Sequence, residues 1–251
     1  MIVTIANQKG GVCKTSTAVS LASELKRRGF SVLLVDTDPQ GNLSFAVHAG
    51  KGSVISDFIS GKLSAVEAIQ RTPEGLHIIA SDPSISRFQQ ADPDLLKKAL
   101  DPVRKAYDVV IIDTPPTLSG ITINAIRAAD LIIIPATPSI LSLQGIQQLY
   151  DVIRRVNQSV RIAGVLLTKY TDRSIINRQL RETAEALAAK IGTKVYKTHI
   201  RQTIAMEEAF AMQTPIRDYA PRSTAAEDYA SFAEEFIKEE LPWPEKTSAI
   251  H

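Results

Sequence analysis

The chain has 251 residues, 44% of them hydrophobic and 22% charged, with a net charge of +2; this suits one large α/β domain and neither demands nor excludes contact with nucleic acid. Its single cysteine, Cys13, excludes an intramolecular disulfide and any cysteine-built metal or iron–sulfur site within one chain. No apolar run reaches the ~18 residues of a membrane span, and a β-branched run begins at Ile2 with no basic, signal-type leader before it, so a cytoplasmic protein is expected.

Short apolar runs alternate with amphipathic segments along the chain. Ile2–Ala6 is a strand, followed by a glycine-containing turn and a helix over Thr15–Arg28. A second strand spans Ser31–Val35, Ala49–Ser64 holds short helices and loops, and Leu76–Ala80 is a third strand. Then come a helix over Asp94–Lys105, a strand over Val109–Ile112, a helix over Thr122–Ala128 and a strand over Leu131–Pro135. Helices over Leu143–Asn157 and Ile175–Ile191 alternate with strands over Ile162–Leu167 and Lys194–Tyr196, and a last helix runs from Thr224 to Glu240, stopped by Pro242. Runs such as Val109-Val110-Ile111-Ile112 are continuous rather than alternating, as strands covered on both faces are. The pattern predicts a single doubly wound, mostly parallel sheet with helices on both faces, over residues 1–241, with 242–251 as a flexible tail.

Chemistry concentrates in the turn after the first strand, Lys9-Gly10-Gly11-Val12-Cys13-Lys14-Thr15-Ser16. Strand, glycine turn and helix is the setting of a phosphate loop. Backbone N–H groups of Gly10, Gly11, Val12, Cys13, Lys14, Thr15 and Ser16 would face an anion at the helix N-terminus. Lys14 would place its charge on the β- and γ-phosphates of a nucleotide, and the Thr15 hydroxyl would ligate Mg²⁺. Gln8 and Cys13 stand where the ordinary G-x-x-x-x-G-K-[ST] pattern has glycine, while K-G-G-x-x-K-[ST] fits through Lys9, Gly10, Gly11, Lys14 and Thr15. If Cys13 must take a positive φ, its side chain costs on the order of 1–2 kcal/mol; a helix N-terminus would lower its thiol pKa.

Two further segments place carboxylates at strand ends, where ligands of open parallel sheets lie. One is Asp36-Thr37-Asp38-Pro39-Gln40-Gly41-Asn42; the other is Asp113-Thr114-Pro115-Pro116, which closes an apolar run in the manner of a Walker B strand.

With its two lysines, D-x-D-P-Q-G-N and D-T-P-P, the chain resembles the deviant Walker A ATPases, the ParA/MinD family. The resemblance runs from Ile2 to about Phe236 and includes Thr122-Ile123-Asn124-Ala125, Leu143-Gln144-Gly145 and Thr214-Pro215-Ile216. It implies an ATPase using ATP and Mg²⁺. Lys9 would reach across a homodimer to the partner's phosphates, Asp38 would activate or orient the attacking water, and Asp36 and Asp113 would lie in or near the metal shell with Thr15. The D-T-P-P segment would act as a switch sensing the γ-phosphate.

Within that family, the acidic Phe232–Leu241 end argues against a basic, membrane-seeking helix. The tail lacks the tyrosines of the related kinases, and one cysteine excludes iron–sulfur carriers. The remaining branch implies a nucleoid-associated partition ATPase that binds DNA non-specifically as an ATP dimer and works with a ParB-like partner. Basic candidates for the DNA contact are Lys169, Arg173, Arg178, Arg181, Arg201, Arg217 and Arg222. A cargo adaptor for a carboxysome or chemosensory cluster fits the same residues, as does a nucleotide-switched scaffold with little turnover.

Overall fold

The continuous apolar runs become the interior of one seven-stranded sheet, ordered β3-β4-β2-β5-β1-β6-β7. The computed structural model describes residues 1–241, so the expected tail over 242–251 lies outside the described residues. The strands are β1 (Ile2–Ile5), β2 (Val32–Asp36), β3 (Gln70–Arg71), β4 (His77–Ile79), β5 (Val109–Asp113), β6 (Leu131–Ala136) and β7 (Arg161–Leu167). All neighbours are parallel except β3 and β4.

Strands β1, β2, β5 and β6 are buried over their whole length, which explains their unbroken apolar sequences. Successive side chains still alternate between the two faces. Val3, Ile5, Leu34, Ile111 and Ile133 join one hydrophobic layer, while Ile2, Leu33, Val35, Val110 and Ile112 join another.

The helices are α1 (Lys14–Arg27), α2 (Asn42–Ala46), α3 (Ile55–Ile59), α4 (Ala65–Ala68), α5 (Leu95–Leu100), α6 (Gly120–Ala128), α7 (Ile140–Val156), α8 (Ile175–Lys190), α9 (Ala205–Ala211), α10 (Ile216–Tyr219) and α11 (Thr224–Glu240). α1 and α11 share one face, and α11 sinks Tyr229, Phe232 and Phe236 completely into that layer. Its acids do not form a free acidic surface. Glu234 pairs with Arg28, Glu239 with Lys194 and Glu240 with Arg161, while Glu235 accepts the N–H groups of Lys197 and Thr198. The apolar stripe a membrane would need is therefore already used in the core, and no described helix is long and apolar enough to cross a membrane.

Two elements differ from the sequence expectation. The helix expected over Asp94–Lys105 ends at Leu100 and resumes as a 3-10 turn over Val103–Lys105, because Pro102 has no N–H to continue the ladder. Lys194–Tyr196 is not a strand but a broken ribbon against β7. Val165 N–H donates to Lys194 O and Tyr196 N–H to Val165 O, and the ribbon regains β7 only where Ile200 N–H donates to Leu167 O. Between these points Glu235 takes the N–H groups that a continuous ladder would use.

The ribbon depends on Gly164. A Cβ there would lie 2.7 Å from the Tyr196 ring, which is fully buried. Replacing Gly164 by Val should lower unfolding free energy by about 2–3 kcal/mol or more, measured by urea denaturation.

Candidate active site

Asp36 and Asp113 close β2 and β5 in direct register, and Ile5 of β1 sits beside Asp113. The loop leaving β1 therefore crosses in front of two carboxylates. Asn7 anchors it, donating from Nδ2 to Pro135 O at 2.7 Å and accepting from Lys9 N–H at 2.9 Å. From the other side, Thr168 Oγ1 donates to Val12 O at 3.2 Å.

The loop needs left-handed backbone at two places. Gly11 has φ +74°, and Cys13, at φ 63° and ψ 34°, is the residue that hands the chain to α1. The condition left open in the sequence is met: Cys13 takes a positive φ, at a cost of roughly 1–2 kcal/mol for a residue with a Cβ. The expected low thiol pKa is not observed: burial pushes the thiol up, and Lys169 and Thr168 only partly oppose this.

A cavity of about 530 Å³ opens over the loop, a size that accommodates a nucleotide. The loop residues Gly10, Gly11, Cys13, Lys14, Thr15 and Ser16 line it together with Gln202, Met206 and Phe210 from later in the chain. A Cβ on Gly10 would meet no protein atom within 4 Å, so space beside that peptide is open to a ligand. Val12 contributes only backbone, since its side chain is buried in the protein. Lys14 is buried and donates from Nζ to Lys9 O at 3.3 Å. Burial lowers its pKa, and Asp113 and Asp38 push it back up.

Asp113 tests whether a metal fits here. It is wholly buried, and its Oδ2 accepts from Thr15 Oγ1 at 2.6 Å, but its Oδ1 has no hydrogen-bond partner. A buried carboxylate oxygen left unpaired beside a threonine hydroxyl and a lysine suits the hydrated shell of Mg²⁺. Among the described residues no group of three His, Cys, Asp or Glu side chains could hold a metal; a magnesium ion that shares its shell with phosphate oxygens needs none. Asp36 is already committed: its Oδ2 accepts from Ser44 Oγ and Ser44 N–H, and its Oδ1 from Asp38 N–H. Asp38 belongs to a turn rather than to β2, closed by Gly41 N–H on Asp38 O at 2.8 Å, and its Oδ1 accepts from Gln40 N–H.

Residues 1–168 match the family model described as "AAA domain". The chain is 37% identical to the sporulation initiation inhibitor protein Soj of Bacillus subtilis, over 93% of this chain and 97% of the relative. It is 34% identical to the chromosome-partitioning ATPase Soj of Thermus thermophilus, over 94% of each. Among solved structures, the septum site-determining protein MinD of Pyrococcus horikoshii, complexed with Mg-ADP, superposes with a TM-score of 0.82 at 25% identity, covering 94% of this chain and 96% of that one. The chain belongs to the ParA/MinD family of partition ATPases. Two neighbours of this fold hold nucleotide and magnesium: that MinD carries Mg-ADP, and a cobyrinic acid a,c-diamide synthase of Mycobacterium smegmatis, 27% identical with a TM-score of 0.81 over 96% of each chain, carries an ATP analogue and magnesium.

The basic residues singled out in the sequence divide sharply. Arg201 grips Asp228 through Nε and Nη2, Arg217 pairs with Glu24 at 2.7 Å and caps the carbonyls of Pro221 and Ala226, and Arg181 pairs with Glu185 and Tyr196 O. These three brace the ParA-type fold, with partners too distant in sequence to foresee except for Glu185. Lys169 lines the nucleotide cavity. Arg173, Arg178 and Arg222 are exposed and carry no ion pair among the described residues. Sequence reasoning passed over Asn7, Ser44, Ser81 and Ser139, small polar residues whose partners only the fold reveals.

Two predictions follow from the buried charges and the loop. Burial raises Asp36 to about 6 and Asp113 to about 8, from an ordinary 3.8. The folded protein thus holds these protons more tightly than the unfolded chain, so the contribution of these two groups to nucleotide-free stability is greatest below about pH 4 and is lost as pH rises towards 8. Calorimetric midpoints without nucleotide should fall between about pH 5.5 and 8, whereas the stabilisation by Mg-ADP should grow over that range, since the metal shell needs an ionised carboxylate. For the loop, Cys13→Gly should retain nucleotide binding, because glycine takes positive φ freely. Cys13→Val should lose about tenfold or more in nucleotide affinity, because a β-branched residue is an outlier there; titration with a fluorescent ADP analogue reads both.

Proposed function

We propose that this chain is an ATP-driven DNA partition switch. A homodimer assembled on Mg-ATP binds DNA without sequence preference, and hydrolysis, stimulated by DNA and a ParB-like partner, releases it. The observation that carries this reading is the separation of the two loop lysines. Lys14 lines the cavity, while Lys9 does not and donates from Nζ to Ser139 Oγ at 3.0 Å. Ile140 and Leu141, next in sequence to Ser139, are 67% and 70% exposed. Exposed apolar side chains around a cation that its own site does not need suit a self-complementary surface.

In this reading Lys14 neutralises the transferred phosphoryl group in cis, and Lys9 does so in trans with the logic of an arginine finger. Thr15 would hold Mg²⁺ through its hydroxyl and Asp113 through the unpaired Oδ1, by way of bound water; the ion, when bound, supplies charge neutralisation on the phosphate oxygens. Asp38 orients the attacking water, and Asp36 holds the turn that carries it. Rate comes from positioning and charge, with no covalent intermediate. Arg173, Arg178 and Arg222 remain as the DNA contacts, through phosphates and hence with strong salt dependence, and the protein is cytoplasmic on the nucleoid. A protein cargo held through an adaptor would use the same cycle with a different partner.

The decisive experiment is Lys9→Ala. Nucleotide affinity should stay within about twofold while hydrolysis with DNA and partner drops by about a hundredfold or more, as when a finger residue is lost. Wild-type turnover in this variant would overturn the in-trans role. ATP-dependent DNA binding that does not weaken with added salt would overturn the phosphate contact.

A further inference from the structure

The turn that carries Asp38 is pinned from a strand that lends no side chain to the nucleotide cavity. Ser81 follows β4, two residues beyond Ile79. Its Oγ donates to the carbonyl oxygen of Asp38 at 2.7 Å, and its N–H donates to Ser44 Oγ at 2.9 Å. Ser44 Oγ in turn donates to Asp36 Oδ2 at 2.7 Å, and Asp36 Oδ1 accepts from Asp38 N–H at 3.0 Å. The hydrogen bonds close a ring that starts on the N–H of Asp38 and returns to its C=O. Both peptide groups flanking the Asp38 side chain are therefore fixed by groups outside the turn.

The ring has a direction of support that the turn itself lacks. The internal bond from Gly41 N–H to Asp38 O closes the turn, and Thr37 ties the chain entering it to Asp113 O through its N–H and Oγ1, but neither bond joins the turn to β4. Ser81 ties it to the end of β4, and Ser44, the third residue of α2, ties that helix to the buried Asp36. Asp38 Oδ1 is occupied by Gln40 N–H at 3.0 Å, and the second oxygen has no protein partner among the described residues. An oxygen free to hold a water is useful only if its backbone is held still, because small misplacements of a reacting group cost large factors in rate.

We propose that Ser44 and Ser81 are positioning residues for Asp38, holding its backbone at both ends so that its free carboxylate oxygen is aligned for the attacking water. The inference rests on the reading of Asp38 as the water-orienting group. Neither serine lines the cavity, so their effect falls on turnover and not on nucleotide affinity.

The test uses the full chain with Mg-ATP for turnover and a fluorescent ATP analogue for affinity. Ser81→Ala should lower the hydrolysis rate constant about tenfold with affinity within about twofold. Ser81→Thr, which keeps the hydroxyl, should recover to within about threefold of wild type. Ser44→Ala should show the same split, and the double variant should be no more than about twofold slower than the slower single one, since both break one ring. Wild-type turnover in Ser81→Ala and Ser44→Ala, or a parallel loss of rate and affinity, or fully multiplicative losses in the double variant, would overturn the proposal. Asp38→Asn separates the two levels. If it hydrolyses ATP at the wild-type rate, the role of Asp38 fails and the serines have nothing to position. If it is inactive while the serine variants turn over normally, only the positioning role fails.

Discussion

Two carboxylates buried side by side at the ends of adjacent parallel strands are the constraint on which this structure turns. Asp36 and Asp113 lie in register with no exposed surface; burial makes both harder to ionise, and the charge of Asp36 adds to this at Asp113. Their surroundings answer that problem differently. Asp36 is surrounded by donors from Ser44 and Asp38, whereas Asp113 has one donor, Thr15, and one oxygen left bare. The first is a structural anion and the second an unfinished one. Lys14, the phosphate loop and the metal site are arranged around what Asp113 lacks.

That division also orders the rest of the molecule. Asp36 is the anchor for the Asp38 turn and for the start of α2, while Asp113 reaches α1 through Thr15. α1 is in turn held from behind by α11, where Tyr229 meets Thr17 at 3.2 Å. A change of charge at the strand ends thus has two mechanical outlets, one through each aspartate, on opposite sides of the loop.

Much of this was legible in the sequence because it is local. Unbroken runs such as Val109–Ile112 announce strands covered on both faces, and Lys9–Ser16 announces its own geometry through its setting between strand and helix. The cost of a side chain at Cys13 could be named in advance, but only the fold shows that its φ is positive. What could not be read depends on long-range pairing. Arg201 and Arg217 look like free surface charge until Asp228 and Glu24 come alongside, and the acids of α11 look like a repulsive tail until Arg161 and Lys194 claim them. Lys194–Tyr196 has the composition of a strand, but a glutamate nearly forty positions later, Glu235, takes its neighbours' N–H groups. Ser44 and Ser81 carry no signal of their own, since a serine is informative only once its partner is known.

The order of strands also bears on how the protein folds. β1 lies inside the sheet between β5 and β6, with Ile2 opposite Val110 and Val3 opposite Leu131. The phosphate loop that follows it is braced by Pro135 and Thr168, and its helix by Tyr229 near the far end of the chain. The motif that defines the protein therefore takes its shape from contacts 128, 156 and 212 positions away along the chain. Closing such long loops is slow relative to local structure. The phosphate loop is thus a local motif with distant supports, and a chain lacking α11 would lack the brace behind α1.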